Sequence, residues 1–198
     1  VPDLLPLSAF LNEPPTAELL LLSFQTNTNV PGVGTVADED IVSYDLGTGL
    51  FAMVFDGSDV GVTNDIDGFA FLDANTIVMS LLSPTSVPGV GGTVDDSDIV
   101  RFDATTLGPD TSGTFSAFFD GSTFGLTNNG EDIDAVEVLG DGRLLISTNA
   151  NLSIPGLNLD DADLAQFTPT VAGDYTAGSW STYLDASDIG LVTNSDED

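Results

Sequence analysis

The stretch VPGVGTVADEDIVSYD, Val30 to Asp45, decides the organisation of the chain because it recurs. VPGVGGTVDDSDIVRFD repeats it from Val87 to Asp103, and IPGLNLDDADLAQFT matches it more loosely from Ile154 to Thr168. A second motif follows each copy, at spacings of 64 and 65 residues, and begins at Phe55, Phe119 and Leu184. Repetition at a nearly fixed period indicates one structural unit that is used three times.

Each copy contains four short apolar segments separated by turn residues, which is typical of β-strands. The first two segments should form a hairpin, and a long acidic loop containing Pro-Gly should lead to the third. The predicted first strands are Leu7–Leu11, Gly68–Leu72 and Ala135–Leu139. In the fourth strand of the first copy, alternation should place Phe51, Met53 and Phe55 on one face. Pro and Gly fall between the predicted strands, and no segment has the length and pattern of an amphipathic helix.

We therefore predict a single all-β repeat domain over residues 1–198. Repeat one covers residues 1–64, repeat two covers 65–130, and repeat three covers 131–198. Each repeat should be a four-stranded antiparallel unit, and the units should form a β-propeller-like or stacked blade array. Trp180 and the phenylalanines are expected to form the core between sheets rather than a sugar-stacking platform.

The charge of the chain excludes several partners. The formal net charge is −30, Lys and His are absent, and the only cations are Arg101 and Arg143. Nucleic acids and anionic membrane surfaces need a basic protein surface, so both are excluded. There is no Cys, and no apolar run is long enough to predict a membrane span. Halophilic adaptation would also raise the acid content, but 26 of the 32 acids are Asp, and they are clustered.

Three acidic elements recur and are candidate calcium ligands. Calcium takes about six to eight oxygen ligands, and Asp at i and i+2 of an extended segment presents two carboxylates together. Magnesium fits less well, zinc lacks His or Cys, and no loop matches an EF-hand. The alternative is that each Asp only stabilises a turn. The candidates are Asp38, Asp40, Asp96, Asp98, Asp161 and Asp163 before the third strands; Asp56, Asp59, Asp120, Asp185 and Asp188 after the fourth strands; and Asp65, Asp67, Asp132, Asp134, Asp196 and Asp198 at the openings of repeats.

The repeated segments resemble those of uncharacterised secreted bacterial proteins with DGSDVGL-like, EDIDA-like and PGVGTVDDxDIV-like motifs. The resemblance covers almost the whole chain and implies an exported, propeller-like, calcium-associated protein without a known catalytic role. The first residue, Val1, also fits a processed mature protein. We expect an extracellular or cell-surface location.

We expect no enzymatic activity, because His, Cys and Lys are absent and the acidic pairs occur in every repeat. The favoured function is a calcium-binding structural protein that self-assembles head to tail into a fibre or surface layer. Asp196 and Asp198 resemble the opening of a further repeat, and we expect them to complete a site at the N-terminus of another copy. A cell-surface adhesin or glycan-binding module and a carboxylate-dependent glycosidase remain alternatives. Asn151 begins a match to the N-glycosylation pattern.

Overall fold

The computed structural model describes residues 18–128, 130–154 and 156–191, and it confirms the all-β prediction. Within these ranges, fifteen strands form small antiparallel sheets, and no helix is long and apolar enough to cross a membrane. The helical segments described there are three short 3-10 turns: Ser58–Val60, Ser122–Phe124 and Ala186–Ile189.

Sheet I is formed by the first repeat and has three described strands in the order β1–β4–β5. The predicted first strand, Leu7–Leu11, lies outside the described residues. The strands of this repeat are β1 (Leu19–Leu22), β2 (Thr28–Val30), β3 (Gly34–Val36), β4 (Ile41–Asp45) and β5 (Leu50–Phe55).

Sheets II and III each contain four antiparallel strands, as the repeat pattern predicts. Sheet II has the order β6–β7–β8–β9, and sheet III has the order β10–β11–β14–β15. The strands are β6 (Ile66–Asp73), β7 (Thr76–Leu81), β8 (Ile99–Thr106), β9 (Ser112–Phe119), β10 (Ile133–Val138), β11 (Leu144–Thr148), β12 (Leu152–Ile154), β13 (Leu157–Leu159), β14 (Leu164–Val171) and β15 (Asp174–Leu184).

The Pro-Gly loops contain short hairpins that the sequence did not predict. β2 pairs with β3, β12 pairs with β13, and Thr85 forms an isolated bridge with Val94 in repeat two. In the first hairpin, the Val33 N–H donates to the Val30 carbonyl (3.1 Å) and Gly32 has a φ of 81°. Pro followed by a left-handed Gly is the requirement of a type II turn, so Pro-Gly reverses the chain here.

Successive sheets pack face to face through two apolar clusters. The first lies between sheets I and II, where the rings of Phe55 and Phe102 meet edge to face with centroids 5.1 Å apart. The second lies between sheets II and III, where Phe119 and Phe167 meet in the same way at 5.2 Å. We call the face that packs on the preceding sheet the back face and the face that packs on the following sheet the front face. Each buried Phe contributes about 1.5–3 kcal/mol, so apolar packing holds the sheets together.

Some glycines, and Pro169 in β14, lie inside strands, so the prediction that Pro and Gly fall between strands is wrong at these positions. Gly68 in β6 faces β10 so closely that a Cβ atom there would lie 2.9 Å from Ala135 Cα. Gly113 and Gly178 lie against the rings of Phe102 and Phe167, which a Cβ atom would meet. These glycines mark close approaches rather than turns.

The predicted facing of the fourth strand is also wrong at Phe55. Phe51 and Met53 pack on the cluster at the back face of sheet I, whereas Phe55 belongs to the cluster between sheets I and II. A register shift between Ile41 and Val42 interrupts the alternation, and such a bulge redirects the side chains beyond it. Within the described ranges, the sheets form neither a closed barrel nor a closed propeller.

Candidate functional site

The last aspartate of each acidic loop ties that loop to the end of the fourth strand. One carboxylate oxygen accepts an N–H three residues earlier, and the other accepts the N–H of the residue that opens or precedes the 3-10 turn. The bonds are Ala37 N and Gly57 N to Asp40 (2.8 and 3.0 Å), Asp95 N and Gly121 N to Asp98 (2.9 and 3.0 Å), and Asp160 N and Ala186 N to Asp163 (3.0 and 2.9 Å).

These bonds give the three aspartates a structural role that needs no metal ion. Burial raises the pKa of Asp40 and Asp98 above the ordinary value, although the backbone bonds oppose the rise. Two backbone donors on a carboxylate are a recurring way to satisfy a buried acid. We call this arrangement the aspartate clasp.

The aspartates after the fourth strands stabilise the 3-10 turns. In each repeat the carboxylate accepts the hydroxyl of the serine two residues later, at 2.8, 2.8 and 2.6 Å for Asp56, Asp120 and Asp185. The bond from Ser122 is the main cause that holds the pKa of Asp120 below its ordinary value. These are the bonds that the turn-forming alternative predicts for these positions. Asp59 accepts the backbone N–H of Thr111 at 2.9 Å, and Asp188 is exposed.

The aspartates that open repeats two and three lie at equivalent junctions. The Ile66 N–H donates to the Asp38 carbonyl, and the Ile133 N–H donates to the Asp96 carbonyl, both at 3.1 Å. The carbonyls of Asp65 and Asp132 each accept the N–H of the residue directly after the second strand, namely Leu82 and Asn149, at 3.1 and 3.0 Å. The backbone thus brings the opening of one repeat against the acidic loop of the preceding repeat. Both Asp65 and Asp132 are buried as a result.

Asp132 is the most perturbed acid at these junctions. Its residue is 9% exposed, and its Oδ1 atom is buried without a hydrogen-bond partner in the described structure. Burial, followed by the charges of Asp67, Asp96, Asp134 and Asp95, raises the pKa of Asp132 to about 7. A carboxyl group in this position either stays protonated or needs a bound cation to offset the free-energy cost of its buried negative charge.

At the equivalent junction before repeat two, Asp65 takes the place of Asp132, and fewer neighbouring acids raise its pKa. Burial, and then the charge of Asp38, raises the pKa of Asp65. In repeat three, Asp161 takes the place of Asp38 and Asp96; it is half-buried and accepts the backbone N–H of Ala162 at 3.1 Å. Asp196 and Asp198, which were predicted to continue the series, lie outside the described residues.

Two glutamates that the sequence did not single out belong to these junctions. Glu131 accepts four hydrogen bonds, from the N–H groups of Thr127 (2.6 Å), Asn128 (2.8 Å) and Ser153 (3.1 Å) and from the Asn128 amide (3.0 Å). Burial opposes these bonds, yet together they hold its pKa below the ordinary value. Glu39 differs, because burial and a side-chain hydrogen bond with Asp38 raise its pKa to about 7. In the sequence, the position of Glu39 within the acidic run ADED could have indicated that it belongs to this junction.

The donor set of the Asp132 junction consists only of oxygen atoms, which suits a hard divalent cation such as calcium. Zinc is disfavoured because the chain contains neither His nor Cys. The carboxylates do not already surround an ion: across residues 18–128, 130–154 and 156–191, no group of three or more acidic side chains is arranged to hold a metal ion. Binding at Asp132 would require neighbouring carboxylates to move inward.

A groove of about 440 Å³ runs beside this junction. Asp67 and Gly68 of β6 and Asp134 and Ala135 of β10 line it, together with Leu21 of β1. Asp134 accepts the Ser147 hydroxyl at 2.5 Å on the neighbouring strand. The two repeat-opening Asp-x-Asp motifs therefore lie on facing strands, as an ion site shared by two segments would require.

Trp180 is part of the core, as predicted. Its ring packs edge to face on Phe119 and Phe167, and its indole N–H donates to the Phe124 carbonyl at 3.2 Å. Asn151 is exposed, and its amide donates to Asp160 at 3.2 Å.

No protein-family model, curated protein or solved structure matches the chain. The geometry defines an all-β repeat protein in which the acidic loop of one repeat is hydrogen-bonded to the opening of the next.

Proposed function

We propose that the protein is an extracellular calcium-binding structural protein. Its repeats form a propeller-like or stacked array, calcium joins the repeats, and copies associate head to tail into a fibre or surface layer. The observation that carries this proposal is the buried Oδ1 atom of Asp132, which lacks a hydrogen-bond partner and faces a group of acids.

Calcium suits this arrangement better than magnesium does. Asp132 with Asp67, Asp96 and Asp134 offers several carboxylate oxygens, and water completes the six to eight ligands that calcium takes. Magnesium requires a smaller octahedral shell and keeps its own waters. When bound, the ion supplies the positive charge that this part of the chain lacks, since Arg101 and Arg143 are engaged with Asp103 and Asp141.

The remaining acids support a structural role rather than catalysis. The aspartate clasp and the turn aspartates repeat in all three units and are held by nearby backbone and hydroxyl groups. A glycosidase needs one carboxylate pair facing a substrate cleft, with one acid free to protonate the leaving group. Acids that recur in every repeat and are already hydrogen-bonded are better suited to holding the repeats together than to catalysis.

Calorimetric titration of chelator-treated protein with calcium and with magnesium tests the proposal. We expect calcium to bind more tightly than magnesium and Asp132→Asn to lose binding at one site. Asp110→Asn is the matched control, because it removes the same charge from an exposed turn and should leave binding unchanged. Equal calcium binding by the Asp132→Asn and wild-type proteins would contradict the assignment.

A further inference from the structure

The back face of sheet I is an apolar face that no described sheet covers. The register equates Leu20 with Ile77 and Leu144, because each pairs with the aromatic residue at the fourth position of the third strand. Ile77 and Leu144 are fully buried under the preceding sheet, whereas Leu20 is 48% exposed. Neighbouring side chains of this face are half-buried or exposed; they are Leu22, Tyr44, Leu46 and Phe51.

The β2–β3 hairpin covers only one end of this face. Val30, Val36 and Val42 form a buried cluster there, with Phe51 and Met53 packed against it. Leu20 and Leu46 remain exposed. In sheets II and III the preceding sheet covers the equivalent region, so sheet I presents a back face of the same type without its usual cover.

The front face of sheet III is the matching surface. Tyr183 occupies the place of Phe118 in sheet II, because both lie between the last two pairs that join the third and fourth strands. Phe118 packs against Tyr175 of the following repeat with ring centroids 4.4 Å apart, whereas Tyr183 is 48% exposed. Within the described residues, no sheet follows sheet III.

We propose that a second copy of this chain docks the front face of its sheet III on the back face of sheet I. The inference deepens the proposed function and rests on its head-to-tail association, for which it names the contact. Front-on-back packing already joins sheet I to sheet II and sheet II to sheet III. The contact between copies continues that interface, with Tyr183 in the place of Phe118 and Leu20 in the place of Ile77. Because a front face meets a back face, an assembly of copies keeps one front face and one back face unpaired.

Charge determines the conditions under which this contact forms. Two copies each carry a formal charge of −30, so they repel one another at low ionic strength. Gln166 alternates with Ala165 and Phe167, which pack on sheet II, so it lies on the docking front face. Arg143, one of the two cations of the chain, donates to Gln166 there at 2.5 Å. Salt or divalent cations should therefore promote association by screening the remaining acids.

Two variants and their mixture test the contact by sedimentation velocity. Leu20→Asp blocks the back face, and Tyr183→Asp blocks the front face; each should weaken association at least about tenfold, since a charge would be buried. Mixing the two should restore one contact and produce a dimer that does not grow further. Val171→Asp, which changes an exposed apolar residue elsewhere, is the control and should associate like wild type.

The outcomes separate this contact from the calcium site. Association of Tyr183→Asp at the wild-type level, with loss in Leu20→Asp alone, indicates a symmetric back-to-back dimer and overturns the proposal. A monomeric wild-type chain that binds calcium overturns the contact and leaves the Asp132 site in place. A monomer that Leu20→Asp destabilises shows that the face is covered within the chain, which also overturns it. Association that persists in chelator and sodium chloride, with the expected behaviour of the mixture, supports the contact, and the calcium titration of Asp132→Asn then decides the calcium site separately.

Discussion

Replacing Asp132 with asparagine should change stability in opposite directions with and without calcium. The substitution keeps the size of the side chain and removes a buried negative charge. At about pH 8, above the folded pKa of about 7, wild-type Asp132 is ionised and unfavourable unless a cation is bound. The variant should therefore be more stable than wild type in chelator and should gain less stability from calcium.

The pKa of Asp132 sets the size of the first effect. A rise from 3.8 to about 7 corresponds to at most about 4 kcal/mol against the ionised form. Solvent screening reduces this figure, and the new amide also lacks a partner at the position of Oδ1. We therefore expect Asp132→Asn to raise the free energy of unfolding in chelator by about 1–2 kcal/mol, or about 2–8 °C in Tm.

Calcium sets the size of the second effect. At a free concentration about one hundred times its Kd, one bound ion stabilises the folded wild-type protein by about 2.7 kcal/mol. The variant should lose this increment. Thermal unfolding followed by circular dichroism, in chelator and in calcium, measures both effects, and Asp110→Asn controls for net charge. Lower stability of Asp132→Asn in chelator, or an unchanged calcium increment, would refute the reasoning.

Three further predictions concern packing, the aspartate clasp and pH. Gly68→Ala should lower the free energy of unfolding measured in urea by about 1–3 kcal/mol, because its Cβ would press on the backbone at Ala135; an unchanged free energy would mean that the strands can separate at no cost. Asp98→Ala should cost about 1–3 kcal/mol in the same assay, since two backbone N–H groups lose their acceptor, whereas a gain would show that its buried charge dominates. In chelator, stability should fall as the pH rises from about 4 to about 7, because the raised pKa values of Asp132 and Glu39 keep protons on the folded chain that the unfolded chain has released. Urea titrations at about pH 5 and about pH 8 measure this effect, and a higher midpoint at about pH 8 would contradict it.

The apolar segments predicted most of the strands because their patterns and turn residues are local. TIVMSLL, Thr76 to Leu82, contains β7, and LFAMVF coincides with β5. The β2–β3 hairpin escaped prediction because three-residue strands are too short to show alternation. The bulge beside Ile41 escaped for another reason: it depends on pairing with a strand whose register the sequence does not contain.

The acidic positions were visible in the sequence, but their different roles were not. Asp40 and Asp132 both occur in Asp-x-Asp or Asp-Glu-Asp patterns. Asp40 accepts a hydrogen bond from the backbone N–H of Gly57, seventeen residues away, and so holds two backbone segments together. Asp132 is buried by the stacking of two sheets, and only the folded chain brings Asp67 and Asp96 near it. Burial and long-range pairing, which composition does not encode, separate a turn former from a candidate ligand.

The bonds from Ile66 to Asp38 and from Ile133 to Asp96 also bear on how the chain folds during synthesis. Each first strand donates to a loop that was made earlier, so a finished repeat offers an acceptor to the next repeat as it emerges. The cooperative unit is then larger than one sequence repeat, because opening either bond disturbs two neighbours. Hydrogen exchange at these two amides would report the coupling between repeats rather than the stability of either repeat alone.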